Sequence, residues 1–146
     1  MTLLNHKVCE IDAAIAEIPD GATIMVGGFG SPGTPFALLD ALLASGQGNL
    51  TLIKNDANEP GIGIGKLIEA GRVKRLITSH LGLNRTAIEA MNTGQMEVTF
   101  HPQGLLAEKI RCAGVGHGGF LTDIGMGKEI AEGRHEITIE GSTWAI

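Results

Sequence analysis

Apolar and polar positions along the chain follow two alternating periods. Ile11, Ile15 and Ile18 recur at helical spacing until Pro19-Asp20-Gly21 breaks the pattern. Thr23-Ile24-Met25-Val26 is then a short apolar run, read as a buried strand, that ends in Gly27-Gly28. Pro35 opens a helix, where its missing N–H costs nothing. Phe36, Leu38, Leu39, Leu42 and Leu43 supply that helix's apolar stripe, and Gly46 closes it. The unit recurs in kind, with strands over 50–53, 73–78 and 96–100 and helices over 64–70, 85–91 and 105–112. Short strands alternating with helices imply right-handed crossovers and a parallel sheet. The tail differs: glycines crowd residues 114–127, and then 135–139 and 142–146 each alternate around Glu140-Gly141, a β-hairpin pattern. The expected fold is α/β: an open, mostly parallel sheet flanked by helices, with a short β-hairpin near the C-terminus, all in one domain spanning 1–146.

Composition sharpens this picture. Hydrophobic residues are 43% and charged residues 18% of the 146, which fits a packed core and excludes disorder. Aromatic residues are only 3%, so Leu, Ile, Val and Ala must build that core. Glycine occurs 22 times, about twice ordinary usage, and clusters between apolar runs as turns. Net charge is −5, and the only basic run is Arg72, Lys74 and Arg75, so no nucleic-acid partner is expected. No secretory h-region and no stretch of about 18 apolar residues appears, so neither export nor a membrane is expected. Cys9 and Cys112 lie far apart without ligand spacing, as in a reducing cytoplasm.

In an open parallel sheet, ligands bind beyond the carboxyl ends of the strands. Four polar or glycine-rich loops follow strand ends, at 27–33, 55–58, 79–84 and 101–104, and that shared edge is the expected site. Gly28-x-Gly30-x-x-Gly33 satisfies a dinucleotide fingerprint, but Asp56 comes late for the acidic partner and Pro32 interrupts the turn into the helix. The loop reads foremost as one that lets backbone approach a phosphate or carbonyl, with a structural turn as the lesser alternative. Gly61 to Leu67 imitates a phosphate-binding P-loop, yet Pro60 stands where glycine is required and Leu67 where Ser or Thr would hold Mg²⁺. A flexible turn with a solvated Lys66 is the expectation there. Gln103, in a Pro-Gln-Gly turn, is either an amide donor to a developing oxyanion or a Gln bonded to a neighbouring loop. His80, His101 and His117 have no metal-ligand spacing, so no metal is expected. No Gly-x-Ser-x-Gly elbow exists, and Cys112 reads as core.

Four motifs taken together resemble the α subunit of family I CoA-transferases, the 3-oxoacid or acetate/acetoacetate type. They are Val26 to Pro35, Ser79-His80-Leu81-Gly82-Leu83-Asn84, His101-Pro102-Gln103-Gly104 with Ala107 to Cys112, and Ala113 to Phe120. The resemblance implies a cytoplasmic hetero-oligomer of short-chain fatty-acid metabolism that moves CoA between acyl-CoA and a carboxylic or 3-oxo acid. It implies a nucleophilic Glu on a β subunit, Gln103 as catalytic oxyanion donor, and a CoA- or substrate-binding set of Gly27, Gly28, Phe29, Gly30, Ser31, Pro32, Gly33, Asn55, His80 and Asn84. The CoA thioester would be a substrate, with no permanently bound cofactor. Such α subunits continue past residue 146, so the C-terminal part of the family domain is expected to be absent, and Leu105 stands where Thr is usual. A dinucleotide-binding module and a non-catalytic truncated partner subunit are the alternatives.

Overall fold

The computed structural model describes residues 8–146, which divide after Phe100 into two compact units. The expectation of no export signal rests partly on residues 1–7, which lie outside the described residues.

The first unit is a four-stranded parallel sheet in the order β1-β2-β3-β4, with β1 at Thr23–Met25, β2 at Leu50–Ile53, β3 at Val73–Thr78 and β4 at Glu97–Phe100. Each crossover carries one helix: α2 (Phe36–Ser45), α3 (Ile64–Glu69) and α4 (Arg85–Asn92), while α1 (Ile11–Ala16) precedes β1. Helix α2 packs on α1 and α3, and α3 on α4. Sequential strands joined by crossovers of one hand place such helices side by side. The fold class read from the apolar pattern is the one observed, and every element stands within about two residues of its expected bounds.

Burial alternates along the strands. Leu50 and Leu52 of β2 and Leu76 of β3 are fully buried with Leu39, Leu42, Ile64, Leu67 and Ala87 of the helices, whereas Thr51, Ile53, Arg75 and Ile77 are half-exposed. A parallel sheet covered on both faces reads as a continuous apolar run. The polar residues Thr51, Arg75, Glu97 and Thr99 share one face by register and interrupt it. Lys74 is passed over where the β2–β3 register shifts, a local bulge. The expectation of a buried first strand is corrected: β1 pairs only with β2, at the sheet edge, and Met25 is 55% exposed. Pro35 sits one residue outside α2, as its N-cap.

Lys66 also departs from expectation. It lies in α3, half-buried, and its Nζ stands 2.7 Å from Oδ1 of Asp40 on α2, so it ties two helices together. Residues 72–75 do not act as a basic patch: Arg72 donates to the Gly46 carbonyl, while Arg75 pairs with Glu97 at 3.4 Å and donates to Thr99.

The second unit opens with α5 (Gln103–Gly114), continues through a loop to a 3₁₀ turn at Glu129–Ala131, and ends in the antiparallel hairpin β5 (Glu136–Ile139) and β6 (Ser142–Ala145). Glu140 and Gly141 both adopt positive φ, which matches a two-residue turn to the twist of the strands. Thr122 forms a two-way backbone bridge with Ala145. Cys112 is buried, as expected. Among the described residues, no helix is long and apolar enough to cross a membrane.

Leu76 is fully buried in the third strand of the sheet. Leu76→Ala should therefore cost about 3 kcal/mol of unfolding free energy, the usual range for a buried leucine truncation being about 2–5 kcal/mol. Urea unfolding checks this, and a loss under about 1 kcal/mol would place β3 outside the core.

Candidate functional site

The parallel ladder does not stop where the strands do. Val26 N–H donates to the Ile53 carbonyl, Lys54 N–H to that of Ile77, and Ser79 N–H to that of Asn55, and Asp56 forms a further bridge with His80. These bonds gather the loops after β1, β2 and β3 at one edge of the sheet.

A buried charge pair organises that edge. Lys54 and Asp56 lie two apart and are both buried while Asn55 between them is half-exposed, so their side chains share one side. The Lys54 side chain is fully buried, and its Nζ lies 3.2 Å from Oδ1 and 3.3 Å from Oδ2 of Asp56. Asp56 accepts the Gly30 N–H at 2.7 Å and the Asn58 N–H at 2.8 Å. The Gly30 carbonyl in turn accepts from Thr34 Oγ1 at 2.7 Å, Asn58 Nδ2 at 2.8 Å and Lys54 Nζ at 3.4 Å. Both backbone polar groups of one glycine are therefore held. Burial pushes the Asp56 carboxyl up, but the N–H groups of Gly30 and Asn58 and the Lys54 ammonium outweigh it and hold the group below its ordinary value.

The loop itself is folded tightly. Phe29 N–H donates to the Pro32 carbonyl, and Thr34 N–H to that of Ser31. At Gly28, φ is +102°, and a Cβ would fall 2.6 Å from Thr34 Oγ1. Only glycine fits there.

The remaining expected residues fall into two groups. Gly30, Ser31 and His80 line one notch, together with Asp56, Asn58 and Leu83. Its volume is about 30 Å³, room for about one water, so any larger ligand must lie across its mouth. Asn55 joins two loops: its Nδ2 donates to Asp56 Oδ2 at 3.3 Å, and its Oδ1 accepts from Ser79 Oγ at 3.0 Å. Asn84 is fully buried; its Oδ1 caps α4 by accepting Ala87 N–H, and its Nδ2 donates to the Ala57 carbonyl. His80 is exposed, and its Nδ1 accepts the Gly82 N–H at 3.0 Å, closing its own turn. Gly27, Gly28, Phe29, Pro32 and Gly33 belong to the stapled loop outside the notch lining, and Phe29 is 67% exposed. Gln103 lies in the second unit. It is the first residue of α5 and exposed, rather than the middle of a turn as expected.

Lys54, Asp56, Asn58 and Thr34 are the residues that the sequence reading left outside the site. A signal for them existed: two opposite charges at i and i+2 directly after an apolar strand are same-side neighbours. The dinucleotide reading loses its basis at the same point. Strand β1 is at an edge and the order β1-β2-β3-β4 never reverses, so the described residues form no switch-point crevice there. Asp56 uses its carboxylate on the loop, not on a ribose. Among the described residues no three His, Cys, Asp or Glu side chains gather as a metal cluster.

A four-stranded parallel sheet with a stapled glycine loop at its carboxyl edge defines an open-sheet α/β protein. The profile described as "Coenzyme A transferase" matches residues 8–144, and the chain belongs to that family. It is 48% identical over 142 residues to the probable coenzyme A transferase subunit alpha of Bacillus subtilis (strain 168), covering 97% of this chain and 62% of that protein. It is 47% identical over 143 residues to the acetate CoA-transferase subunit alpha of Escherichia coli (strain K12), covering 98% and 65%. The chain thus spans just under two thirds of the length of these relatives. Among solved structures, a variant of the decarboxylase AibA/AibB superposes with a TM-score of 0.76 at 26% identity, covering 94% of this chain and 56% of that one.

Removing the Asp56 charge tests the staple. Asp56→Asn leaves the Lys54 ammonium buried without its carboxylate, and should cost about 3 kcal/mol at pH 7 by urea unfolding. Because the folded carboxyl titrates below its ordinary 3.8, its contribution is complete above that value and is lost as pH falls through the lower folded one. The gap between wild type and variant should hold steady down to about pH 5 and close only in stronger acid. A gap already closing between pH 7 and 5 would mean the carboxyl is raised and the staple is not ionic.

Proposed function

We propose that the chain is the α subunit, or a part of it, of a transferase that moves CoA between a short acyl-CoA and a carboxylic or 3-oxo acid. The observation that carries this reading is the identity of 47–48% over almost the whole chain to two proteins named as CoA-transferase α subunits. Fold alone does not choose, because a decarboxylase shares it. The stapled loop agrees with the reading, since acyl transfer depends on a positioned electrophile and preset hydrogen-bond donors.

In this reading a glutamate of a β subunit attacks the thioester carbonyl. A C–O bond forms, the C–S bond breaks, and CoA leaves as thiolate. The thiolate then attacks the glutamyl carbonyl of the resulting anhydride, freeing the first acid, and the second acid collects CoA by the reverse steps. This exchange is complete with a carboxylate nucleophile and an amide donor, so CoA enters as a substrate and no resident cofactor is assigned. The loop Gly27 to Gly33 lies against the CoA or acyl group, Gln103 donates to the oxyanion, and His80 flanks the notch. Asn55 and Asn84 hold the loops in register. Phe29 and Leu83, each 67% exposed on loops framing the notch, suit a surface covered by the β subunit. The free thiols of Cys9 and Cys112 suit a reducing cytoplasm.

Co-expression with a β subunit of the family tests the reading. Exchange of CoA between acetyl-CoA and acetoacetate should need both chains, and Gln103→Ala should lower kcat by about 10²–10³ with the complex intact on gel filtration. An unchanged kcat would remove Gln103 from the chemistry. A stable complex without exchange would instead support the non-catalytic partner.

A further inference from the structure

His80 is exposed, yet its conformation is held on several sides. Its backbone is bridged to Asp56. Its N–H donates to Oγ1 of the fully buried Thr78 and its carbonyl accepts from the same hydroxyl, each at 3.4 Å. The next residue, Leu81, is buried in the core. The ring folds back over its own turn, where the Gly82 N–H donates to Nδ1 at 3.0 Å. Gly82 also makes room for that ring: a Cβ there would lie 2.9 Å from Cε1 and 3.4 Å from Nε2 of His80. Backbone geometry does not ask for glycine at this position, because its φ lies outside the left-handed region. The imidazole does.

These contacts set the chemistry of the ring. A backbone N–H donates only to an unprotonated nitrogen, so the proton of the neutral imidazole is on Nε2. Nε2 makes no hydrogen bond among the described residues, and His80 lines the notch with Ser31, Glu59 and Leu83. One polar ring atom, a donor, is therefore left to a ligand at the mouth. Glu59 is in no ion pair among the described residues, so a carboxylate placed there would meet its charge and a neutral carbonyl would not. We propose that Gly82 is a positioning residue, holding the His80 imidazole as an Nε2–H donor to a carbonyl oxygen of a ligand lying across the notch. His80 touches the ligand, and Gly82 acts through the ring. That the carbonyl is the one of an acyl thioester rests on the transferase reading.

The test uses the whole chain, with labelled histidine ring nitrogens followed by NMR in mildly alkaline buffer. The free protein should show His80 in the Nε2–H tautomer, and acetyl-CoA should shift its Nε2 saturably. S-ethyl-CoA, which keeps the pantetheine amides but lacks the thioester carbonyl, should not. Gly82→Ala should hold or slightly raise the urea midpoint, since the backbone accepts alanine and the ring can turn away. The same variant should mix the two ring tautomers and weaken acetyl-CoA binding about three- to tenfold, the worth of one hydrogen bond. His80→Gln, which keeps an amide donor at similar reach, should bind almost as wild type does, and His80→Phe should bind as weakly as Gly82→Ala. An Nδ1–H tautomer, no shift with acetyl-CoA, or an unaltered tautomer and affinity in Gly82→Ala overturns the proposal. Equal shifts from acetyl-CoA and S-ethyl-CoA keep the donor, move its target to a pantetheine amide and overturn the thioester assignment. The transferase reading is judged separately, by the exchange assay.

Discussion

One residue of the glycine loop, Gly30, is gripped at both of its backbone polar groups, mostly by residues that follow the second strand. Its N–H is taken by Asp56, and its carbonyl is shared among Thr34, Asn58 and Lys54. An isolated loop containing Gly27, Gly28, Gly30 and Gly33 would sample a wide range of backbone conformations, since each glycine allows both signs of φ. The grip removes that freedom. A buried ion pair adds little net stability over well-packed apolar residues, because desolvation offsets most of the attraction. What the Lys54–Asp56 pair supplies is position, and its value depends on the full set of partners being present, since a half-satisfied buried network is worse than none.

That arrangement follows from topology. In a sheet whose strands all run the same way, the segments leaving β1, β2 and β3 emerge at the same edge, and hydrogen bonds between them simply extend the ladder. Each neighbouring pair of loops is then tied by backbone and side chain together: Gly30 to Asp56, and Asn55 to Ser79. Asn84 completes the series by capping α4 while holding Ala57 from below. The core residues Leu50, Leu52 and Leu76 fix the strands, the strands fix the ladder, and the ladder fixes the loops. Positional precision at the notch is therefore inherited from the buried leucines.

Periodicity made the architecture legible. The spacing of Leu39 and Leu42, the runs at Leu50–Ile53 and Val73–Thr78, and the glycines closing the helices all announce elements that the structure contains. The burial of β1 was not legible, because a three-residue apolar run looks the same at an edge as at the centre; only the pairing order separates the two. The three loops of the notch could be placed on one edge from strand direction alone. The charge pair beneath them could not be read as readily. Lys and Asp in a polar loop look solvated, and nothing in their spacing states that a glycine loop 24 residues earlier will fold over and exclude water from Lys54. Lys66 is less legible still, since its partner Asp40 is on another helix and far away in sequence. Long-range electrostatics is written in three dimensions, and one-dimensional patterns carry it only when the partners are close in sequence.

The pattern of partners around Lys54 decides what that cluster does. Around Lys54 every charge has a partner and every partner is a loop or strand of the same unit, so the cluster is closed and holds backbone in place. Closed networks give rigidity, because any displacement breaks several bonds at once. A glycine loop fixed by such a network presents backbone groups whose placement no single side-chain rotation can change.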